Sequence, residues 1–293
     1  MAKKRKIIIT AALTGAFHGK DANPNLPEQP NEIAQAAYEC YNAGASIAHI
    51  HARDKQGVST NDPKVFSEIN SLVKAKCNII TQNSTAPANI PGTVADDGMA
   101  LLYADDVVLP DMCSLDCSLI GTTWAGRTFI YEWTREFLIK SAARMKELNI
   151  KPELEVFNPT SIEDIVKYVY PHGILNEPLS FSFVMGMDKA SQGAMEYSIE
   201  NLIHLVNKVP KNSMYSALAI GQHQLPGTVM TMLLGGNVRV GFEDNVYYSY
   251  GELAKNNAQL VERIAKFATE FGFDIATPDE AREILGIKQV QLA

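Results

Sequence analysis

The chain has 293 residues, a formal net charge of -7, and 46% hydrophobic residues against 20% charged ones. An acidic chain without a basic stripe disfavours nucleic acid as a partner. No apolar stretch approaches the roughly 20 residues that span a membrane, which argues against a membrane protein.

The N-terminal basic cluster Lys3–Lys6 runs into a strand pattern, without the apolar region and cleavage site of a secretory signal. We therefore expect a cytoplasmic protein whose four cysteines are reduced thiols. No linker, internal repeat or low-complexity segment is visible, so we expect a single domain over residues 1–293.

Short β-rich runs alternate with helical patterns along the whole chain. The predicted strands are Lys6–Ala11, Ile47–His51, Cys77–Gln82, Asp106–Leu109, Glu153–Phe157, Ser180–Val184, Tyr215–Ile220 and Asn237–Gly241. The predicted helices are Glu32–Ala43, Pro63–Lys74, Thr134–Leu148, Ser198–Val209, Gly227–Leu234, Leu253–Phe271 and Pro278–Leu285. Glycine or proline follows several of these helical patterns and marks their ends.

This alternation predicts an α/β protein with a (β/α)8 TIM barrel. An open doubly wound sheet is the alternative, because periodicity counts strands without showing closure. Thr14-Gly15-Ala16 after the first strand is not a dinucleotide-binding fingerprint. Two long loops, 19–30 and 113–127, are expected at the carboxyl ends of the strands, where barrel enzymes have their active sites.

His49 and His51 are the most informative pair in the sequence, because residues i and i+2 of a strand point to the same face. Two imidazoles at this spacing suit a zinc-like cation, although two histidines without a metal are the plain alternative. Glu243, after the eighth strand, is the candidate third ligand, since the eighth, first and second strands are neighbours in a closed barrel. Alternatively, Glu243 and Asp244 are solvated loop acids.

Polar residues also follow or interrupt other predicted strands. They are Ser84 and Thr85 after the third strand, and Ser114 and Asp116 after the fourth. Glu155 in the fifth strand and Arg239 in the eighth each require a partner if they are buried, although Glu155 can instead face the outer helices. A serine hydrolase is disfavoured, because no Gly-x-Ser-x-Gly motif is present.

The motifs together resemble the β-keto acid cleavage enzymes, whose type activity is the cleavage of 3-keto-5-aminohexanoate in lysine fermentation. The resemblance extends over essentially the whole chain. It rests on the segments 10–16, 24–27, 49–54 and 276–285 and above all on 235–245, Gly-Gly-Asn-Val-Arg-Val-Gly-Phe-Glu-Asp-Asn.

The resemblance implies a zinc-dependent barrel, usually a homotetramer, that condenses a β-keto acid with acetyl-CoA and cleaves the adduct to acetoacetate and a new acyl-CoA. Zinc, or another divalent metal, would be bound by His49, His51 and Glu243. Asp244 would be the base, oriented by Arg239. We expect this pairing to lower the pKa of Asp244, so the substrate must be acidified by the metal.

The remaining site residues also follow from the resemblance. Ser84 would serve in CoA transfer or contact an oxyanion, and Glu155 matches a family acid in the fifth strand. The candidate substrate-binding residues are Phe17, Thr85, Ser114 and Asp116.

Two departures from the family pattern affect the expected substrate. Phe17 stands where members that act on 3-keto-5-aminohexanoate have an acid, and Ala86-Pro87 stands where Gly-Gly is common. Proline stiffens the loop and removes an amide donor. We therefore predict an uncharged or apolar acyl tail and not 3-keto-5-aminohexanoate. Competing hypotheses are another metal-dependent barrel hydrolase or aldolase, and a non-catalytic binding protein.

Overall fold

The computed structural model describes residues 4–124 and 126–287 and contains a closed barrel of eight parallel strands, which confirms the predicted TIM barrel. The barrel strands are β1 (Ile9–Thr14), β2 (Ile47–Ile50), β3 (Ile80–Asn83), β4 (Met112–Asp116), β5 (Lys151–Val156), β6 (Leu179–Met185), β7 (Ser213–Ala219) and β8 (Asn237–Val240). Each pairs with the next along the chain, and β8 pairs with β1 through Arg239 and Thr10.

Within the described residues, eight α-helices accompany the strands. They are α1 (Pro30–Asn42), α2 (Pro63–Lys76), α3 (Arg135–Glu147), α4 (Pro159–Asp164), α5 (Ile199–Lys208), α6 (Gln224–Leu233), α7 (Asn257–Glu270) and α8 (Pro278–Leu285). Shorter helical segments are Ala95–Tyr103, Ile165–Val169, Tyr170–His172 and Gly221–His223. A side chain at the N-terminus accepts a backbone N–H in several helices, at Asp62, Thr134, Asn158, Ser198, Asn256 and Thr277.

The prediction of the fourth strand was wrong. Residues 106–109 form no strand, and Asp106 has a φ of 56°, outside the β region. The fourth barrel strand is instead β4, which pairs with β3. Its inward residues are polar, so the segment lacks a strong hydrophobic pattern. The first barrel strand also lies later than predicted, because Lys6–Ile7 pairs separately with Asp274–Ile275.

The predicted loop over residues 113–127 contains strand structure. After β4, Leu119–Trp124 pairs with Arg127–Glu132 as an antiparallel hairpin, and Ser191–Gln192 extends it to three strands. Two small hairpins lie elsewhere, Ala52–Arg53 with Ser59–Thr60 and Tyr247–Ser249 with Glu252–Leu253.

The two faces of the barrel strands differ in polarity. The outward residues, such as Ile9, Leu13 and Ala48, join the surrounding helices in buried apolar clusters. Alternate side chains of a strand share a face, and the side chains on the inward face are largely polar. At the amino-terminal mouth, Ile8, Ile47, Ile80 and Met112 pack with Leu285 of α8, so polar groups occupy the interior above this apolar base.

Within the described residues, no helix has the length and apolar character needed to cross a membrane.

Candidate active site

His49, His51 and Glu243 converge at the carboxyl end of the barrel. Glu243 Oε2 lies 3.3 Å from His49 Nε2, and Glu243 Oε1 lies 3.2 Å from His51 Nε2. His49 belongs to β2 and His51 follows it, whereas Glu243 lies after β8. The structure thus brings together the three residues that the sequence pattern nominated, and all three can offer one ligand atom to a common point.

The donor set fits a divalent cation. Burial lowers the pKa of His49 to about 4, so its ring is neutral at pH 7. His49 Nδ1 contacts Gln82 Oε1 at 2.8 Å, which makes Nδ1 the N–H donor and leaves the lone pair on Nε2. That lone pair faces Glu243 Oε2, a buried oxygen without a hydrogen-bond donor among the described residues.

The spacing of these atoms also matches a metal site. Two ligand atoms bound tetrahedrally to one zinc ion lie about 3.3 Å apart, because each is about 2.0–2.1 Å from the metal. The distances from His49 Nε2 and His51 Nε2 to Glu243, 3.3 and 3.2 Å, are of this size, each to a different oxygen of the carboxylate. Two histidines and a carboxylate leave a coordination position for substrate.

Arg239 links the acids of the site. Its Nε and Nη2 donate to the two oxygens of Asp244 at 3.0 and 2.9 Å. Nη2 also lies 2.7 Å from Glu243 Oε1, and Nη1 donates to Glu155 Oε1 at 3.1 Å. Arg239 is 2% exposed, so these contacts supply the partners that a buried guanidinium requires. Glu155 therefore faces the barrel interior and not the outer helices.

The protonation behaviour of Asp244 differs from the sequence expectation. Arg239 alone favours the ionised form, but burial and the neighbouring Glu243 outweigh it and raise the pKa of Asp244 to about 6. The expected lowering is therefore wrong in net effect. For Glu243 the balance is reversed, because Arg239 and the two histidines overcome burial and hold its pKa well below the usual range.

Two more inward acids are buried beside this group. Burial, together with Glu155, raises the pKa of Asp116 well above its ordinary value and that of Glu153 to about 8. Asp116 and Glu155 are opposite each other in the pairing of β4 with β5. Asp116 lies within β4 and not after it, because the fourth strand was misplaced in the prediction.

The hydroxyl residues after β3 have different environments. Ser84 lines the cavity above the barrel, and its Oγ accepts the Ala86 N–H at 3.2 Å. Thr85 and Ser114 are bonded to each other, with Thr85 Oγ1 donating to the Ser114 carbonyl at 2.5 Å and Thr85 N donating to Ser114 Oγ at 3.3 Å. Ser114 is 1% exposed, so these two residues lie in the wall behind the site.

Arg53 binds the backbone of the loop after β1. Its guanidinium donates to the Gly15 carbonyl at 2.5 Å and also to the His18 carbonyl. Between these carbonyls lies Phe17, which lines the cavity. Arg53 is 5% exposed, and its position places the aromatic ring beside the site.

A cavity of about 350 Å³ opens above the polar group and has a mainly apolar wall. Sequence reasoning missed much of that wall, because it treated the hairpin after β4 as an unstructured loop. Tyr131 and Trp133 of this region stack with ring centroids 5.0 Å apart, and Trp133 continues onto Phe157 at 6.3 Å. Ile120, Val184, Met187, Leu218 and Ile220 also belong to the apolar lining.

Gln82 was also missed, although its signal is present in the sequence. It lies two residues before Ser84, on the inward face of β3, and is opposite His49 in the pairing of β2 with β3. Alternation along that strand would have nominated it as a neighbour of the histidines.

Residues 6–287 match the family model for the beta-keto acid cleavage enzymes. The chain is 37% identical over 285 residues to the 3-keto-5-aminohexanoate cleavage enzyme of Fusobacterium nucleatum, covering 97% of this chain and 99% of that protein. It is 30% identical over 301 residues to the 3-dehydrocarnitine:acetyl-CoA trimethylamine transferase of Rhizobium meliloti, covering 97% and 98% of the two chains.

Among solved structures, the apo structure of ObcA superposes with a TM-score of 0.77 at 19% identity, over 90% of this chain and 66% of that one. At this identity the likeness concerns the barrel fold.

Proposed function

Since this chain belongs to the β-keto acid cleavage enzyme family, we propose that it condenses a β-keto acid with acetyl-CoA and releases acetoacetate and a new acyl-CoA in a zinc-dependent reaction. The observation that carries the zinc part is the convergence of the His49 and His51 nitrogens on the Glu243 carboxylate. Names of relatives that include acetyl-CoA support the co-substrate.

In this proposal Asp244 transfers the proton, and Arg239, itself bound by Glu155, orients it. Asp244, held by two hydrogen bonds from Arg239, takes the proton from the carbon between the two carbonyl groups of the substrate. When bound, the divalent cation stabilises the negative charge that develops on the keto oxygen. Arg239 stays charged and fixes the direction of the Asp244 carboxylate.

The remaining steps balance without an oxidant or a reductant. The substrate carbanion forms a carbon–carbon bond with the acetyl carbonyl, and CoA thiolate leaves. The thiolate then attacks the original keto carbonyl, and the adjacent carbon–carbon bond breaks to give the new thioester and acetoacetate. Asp244 returns its proton to the carbon that leaves, and Ser84, on the cavity wall, is placed in this proposal at the thioester oxygen.

The lining of the cavity supports an uncharged or apolar acyl tail. Phe17 lies on the wall together with the aromatic row Tyr131, Trp133 and Phe157. The acids that line the cavity within the described ranges are Asp116, Glu155, Glu243 and Asp244, and they belong to or adjoin the Arg239 group. A substrate ammonium group therefore has no separate acid partner on that lining.

The reaction is tested with a panel of β-keto acids that differ in the tail. We expect acetoacetate only when acetyl-CoA is supplied, with a higher kcat/KM for neutral tails than for 3-keto-5-aminohexanoate. Cleavage of the substrate without acetyl-CoA would instead indicate a hydrolase or an aldolase. A preference for the aminohexanoate would contradict the tail assignment.

The metal ligand is tested with Glu243→Gln. Loss of the anionic oxygen should reduce both zinc content, measured by elemental analysis, and turnover. The exposed acid Glu252, which accepts a hydrogen bond from Ser249, provides the control Glu252→Gln with zinc and turnover retained. If Glu243→Gln retained full zinc content and full turnover, Glu243 would not be a metal ligand.

A homotetramer is part of the same proposal, supported by the family resemblance, and the single-domain, cytoplasmic protein that the sequence predicts is part of it as well. Light scattering after size-exclusion chromatography measures the assembly directly.

A further inference from the structure

Gln82 and Glu153 form a buried polar pair beneath the proposed metal site. Gln82 is fully buried on β3, and Glu153 is 3% exposed on β5. The Glu153 carboxyl group interacts with the Gln82 side chain. Among the described residues, Gln82 Nε2 and Glu153 Oε2 each lack a hydrogen bond of standard geometry. The amide nitrogen can donate and the carboxyl oxygen can accept, so each atom can supply what the other lacks.

The amide oxygen of Gln82 contacts the ring of His49. Gln82 Oε1 lies 2.8 Å from His49 Nδ1, so the hydrogen of the imidazole lies on Nδ1 and the lone pair lies on Nε2. Nε2 is the nitrogen that faces Glu243 Oε2 at 3.3 Å. If the amide turned by 180°, its NH₂ group would face Nδ1, the hydrogen would move to Nε2, and His49 would lose its ligand lone pair.

We propose that Glu153 is a positioning residue that fixes the orientation of the Gln82 amide and, through it, the tautomer of His49. Glu153 provides an acceptor on one side, so Gln82 Nε2 turns to it and Oε1 turns to His49. The inference rests on the proposed metal site, because it assigns Nε2 of His49 to the cation. Partners that orient a histidine ligand in this way typically change metal affinity about 10–100-fold when they are removed.

Glu153 could alternatively be a ligand, since ligand atoms of His49, Glu153 and Glu155 also lie within 4.8 Å of one another. The geometry favours the positioning role. Glu155 is already bonded to Arg239, and His49 Nε2 faces Glu243. Glu153 precedes Glu155 by two residues on the same strand face, so its Cα lies about 7 Å earlier along β5, toward the amino-terminal mouth, and Glu153 does not line the cavity.

The test compares Glu153→Met with Glu153→Gln. Methionine removes the acceptor, whereas glutamine retains an oxygen that accepts from Gln82 Nε2. Ser182→Ala, which removes another buried inward group on β6, is the control for a general disturbance of the interior. The first readout is the ¹⁵N spectrum of labelled histidine in the metal-free protein, with the His49 signal assigned by its loss in His49→Gln.

We expect the Nδ1–H tautomer of His49 in the wild type, in Glu153→Gln and in Ser182→Ala. In Glu153→Met we expect the Nε2–H tautomer to become populated and zinc affinity, measured by competition with a chromogenic chelator, to fall 10–100-fold. An Nε2–H tautomer in the wild type, or an unchanged tautomer in Glu153→Met, would overturn the inference. A loss of affinity in Glu153→Gln as large as in Glu153→Met would do the same.

The tautomer measurement separates this inference from the proposed function. If the wild-type protein binds no zinc, the proposed function fails, but the ¹⁵N spectrum still shows whether Glu153 sets the tautomer. If Glu153→Met does not fold, the wild-type tautomer and the comparison of zinc affinity in Glu153→Gln still decide the matter.

Discussion

Glu243 depends on two glycines for its place beside the histidines. Gly241 has a φ of +150°, and a Cβ there would lie 2.1 Å from the Ala12 carbonyl oxygen, so β8 can approach β1 this closely only with glycine at that position. A Cβ at Gly15 would lie 2.6 Å from Glu243 Cγ. The side chain of the proposed ligand therefore packs directly on the backbone of the loop after β1.

Gly15→Ala is accordingly predicted to displace Glu243 while the barrel remains folded. The added methyl group forces Glu243 away from His49 and His51, so zinc affinity and kcat/KM should both fall by at least about tenfold, in line with a ligand misplaced by about 1 Å. Chelator competition and steady-state kinetics measure the two effects.

Gly19→Ala is the matched control for this substitution. Its methyl group would meet the end of the Glu28 side chain, which can move aside, and therefore should leave zinc binding intact. Equal affinities in Gly15→Ala and the wild type would show that the contact does not position Glu243.

At the scale of elements, β5 carries a column of charged residues into the barrel. Lys151, Glu153 and Glu155 alternate along it, while Leu154 and Val156 on its other face belong to the apolar cluster under the helices. Lys151 Nζ donates to the Asn176 and Pro178 carbonyls at 2.7 and 2.6 Å. The strand thus buries a lysine whose hydrogen-bond partners are uncharged.

This environment predicts a pH dependence of stability. Burial lowers the pKa of Lys151 to about 8, below the ordinary value of 10.5, so the unfolded chain binds more protons than the folded protein between these values. The contribution of Lys151 to stability should therefore rise as the pH increases from about 8 to 10.5, by at most about 3 kcal/mol.

The measurement is the free energy of unfolding in urea at several pH values for the wild type and Lys151→Met. Because other groups titrate in both proteins, the difference between the two curves isolates the lysine. We expect the free energy of unfolding of the wild type to increase relative to that of Lys151→Met as the pH increases. A difference that stays constant from pH 8 to 10 would contradict the assignment.

At the scale of the whole molecule, the polar interior is closed on one side only. Helix α8 covers the amino-terminal mouth, where Leu285 and Ala281 pack on Ile8, Ile47, Ile80 and Met112. The opposite mouth holds the cavity and the Arg239 group. Helix α8, near the end of the described residues, therefore stabilises strands that lie early in the sequence.

Leu285→Ala is predicted to lower the global free energy of unfolding by about 2–5 kcal/mol, because it leaves a cavity in this apolar base. Leu233→Ala at the end of α6 is the control, since Leu233 is 49% exposed and Leu285 is 3% exposed. We expect the control to change stability by about 0.5 kcal/mol or less. Similar urea midpoints for the two variants would show that α8 does not stabilise the barrel.

The sequence by itself determined the parts of this protein that depend on local pattern. Alternating strand and helix signals predicted the barrel, and the spacing of His49 and His51 predicted that both rings share a face. The long motif around Glu243 indicated the family, which the comparisons confirm. These inferences succeed because period, spacing and motif are properties of neighbouring residues.

Only the tertiary structure decided which groups meet across the barrel. Strand β4 was misplaced because Ser114 and Asp116 face a polar interior, so its pattern lacks the apolar run of a buried strand. The net pKa of Asp244 depends on burial and Glu243 as well as on Arg239. The pairs of His49 with Gln82 and of Arg239 with Glu155 join residues 33 and 84 positions apart. The first pair depends on the register of the neighbouring strands β2 and β3, and the second meets across the interior because the barrel closes.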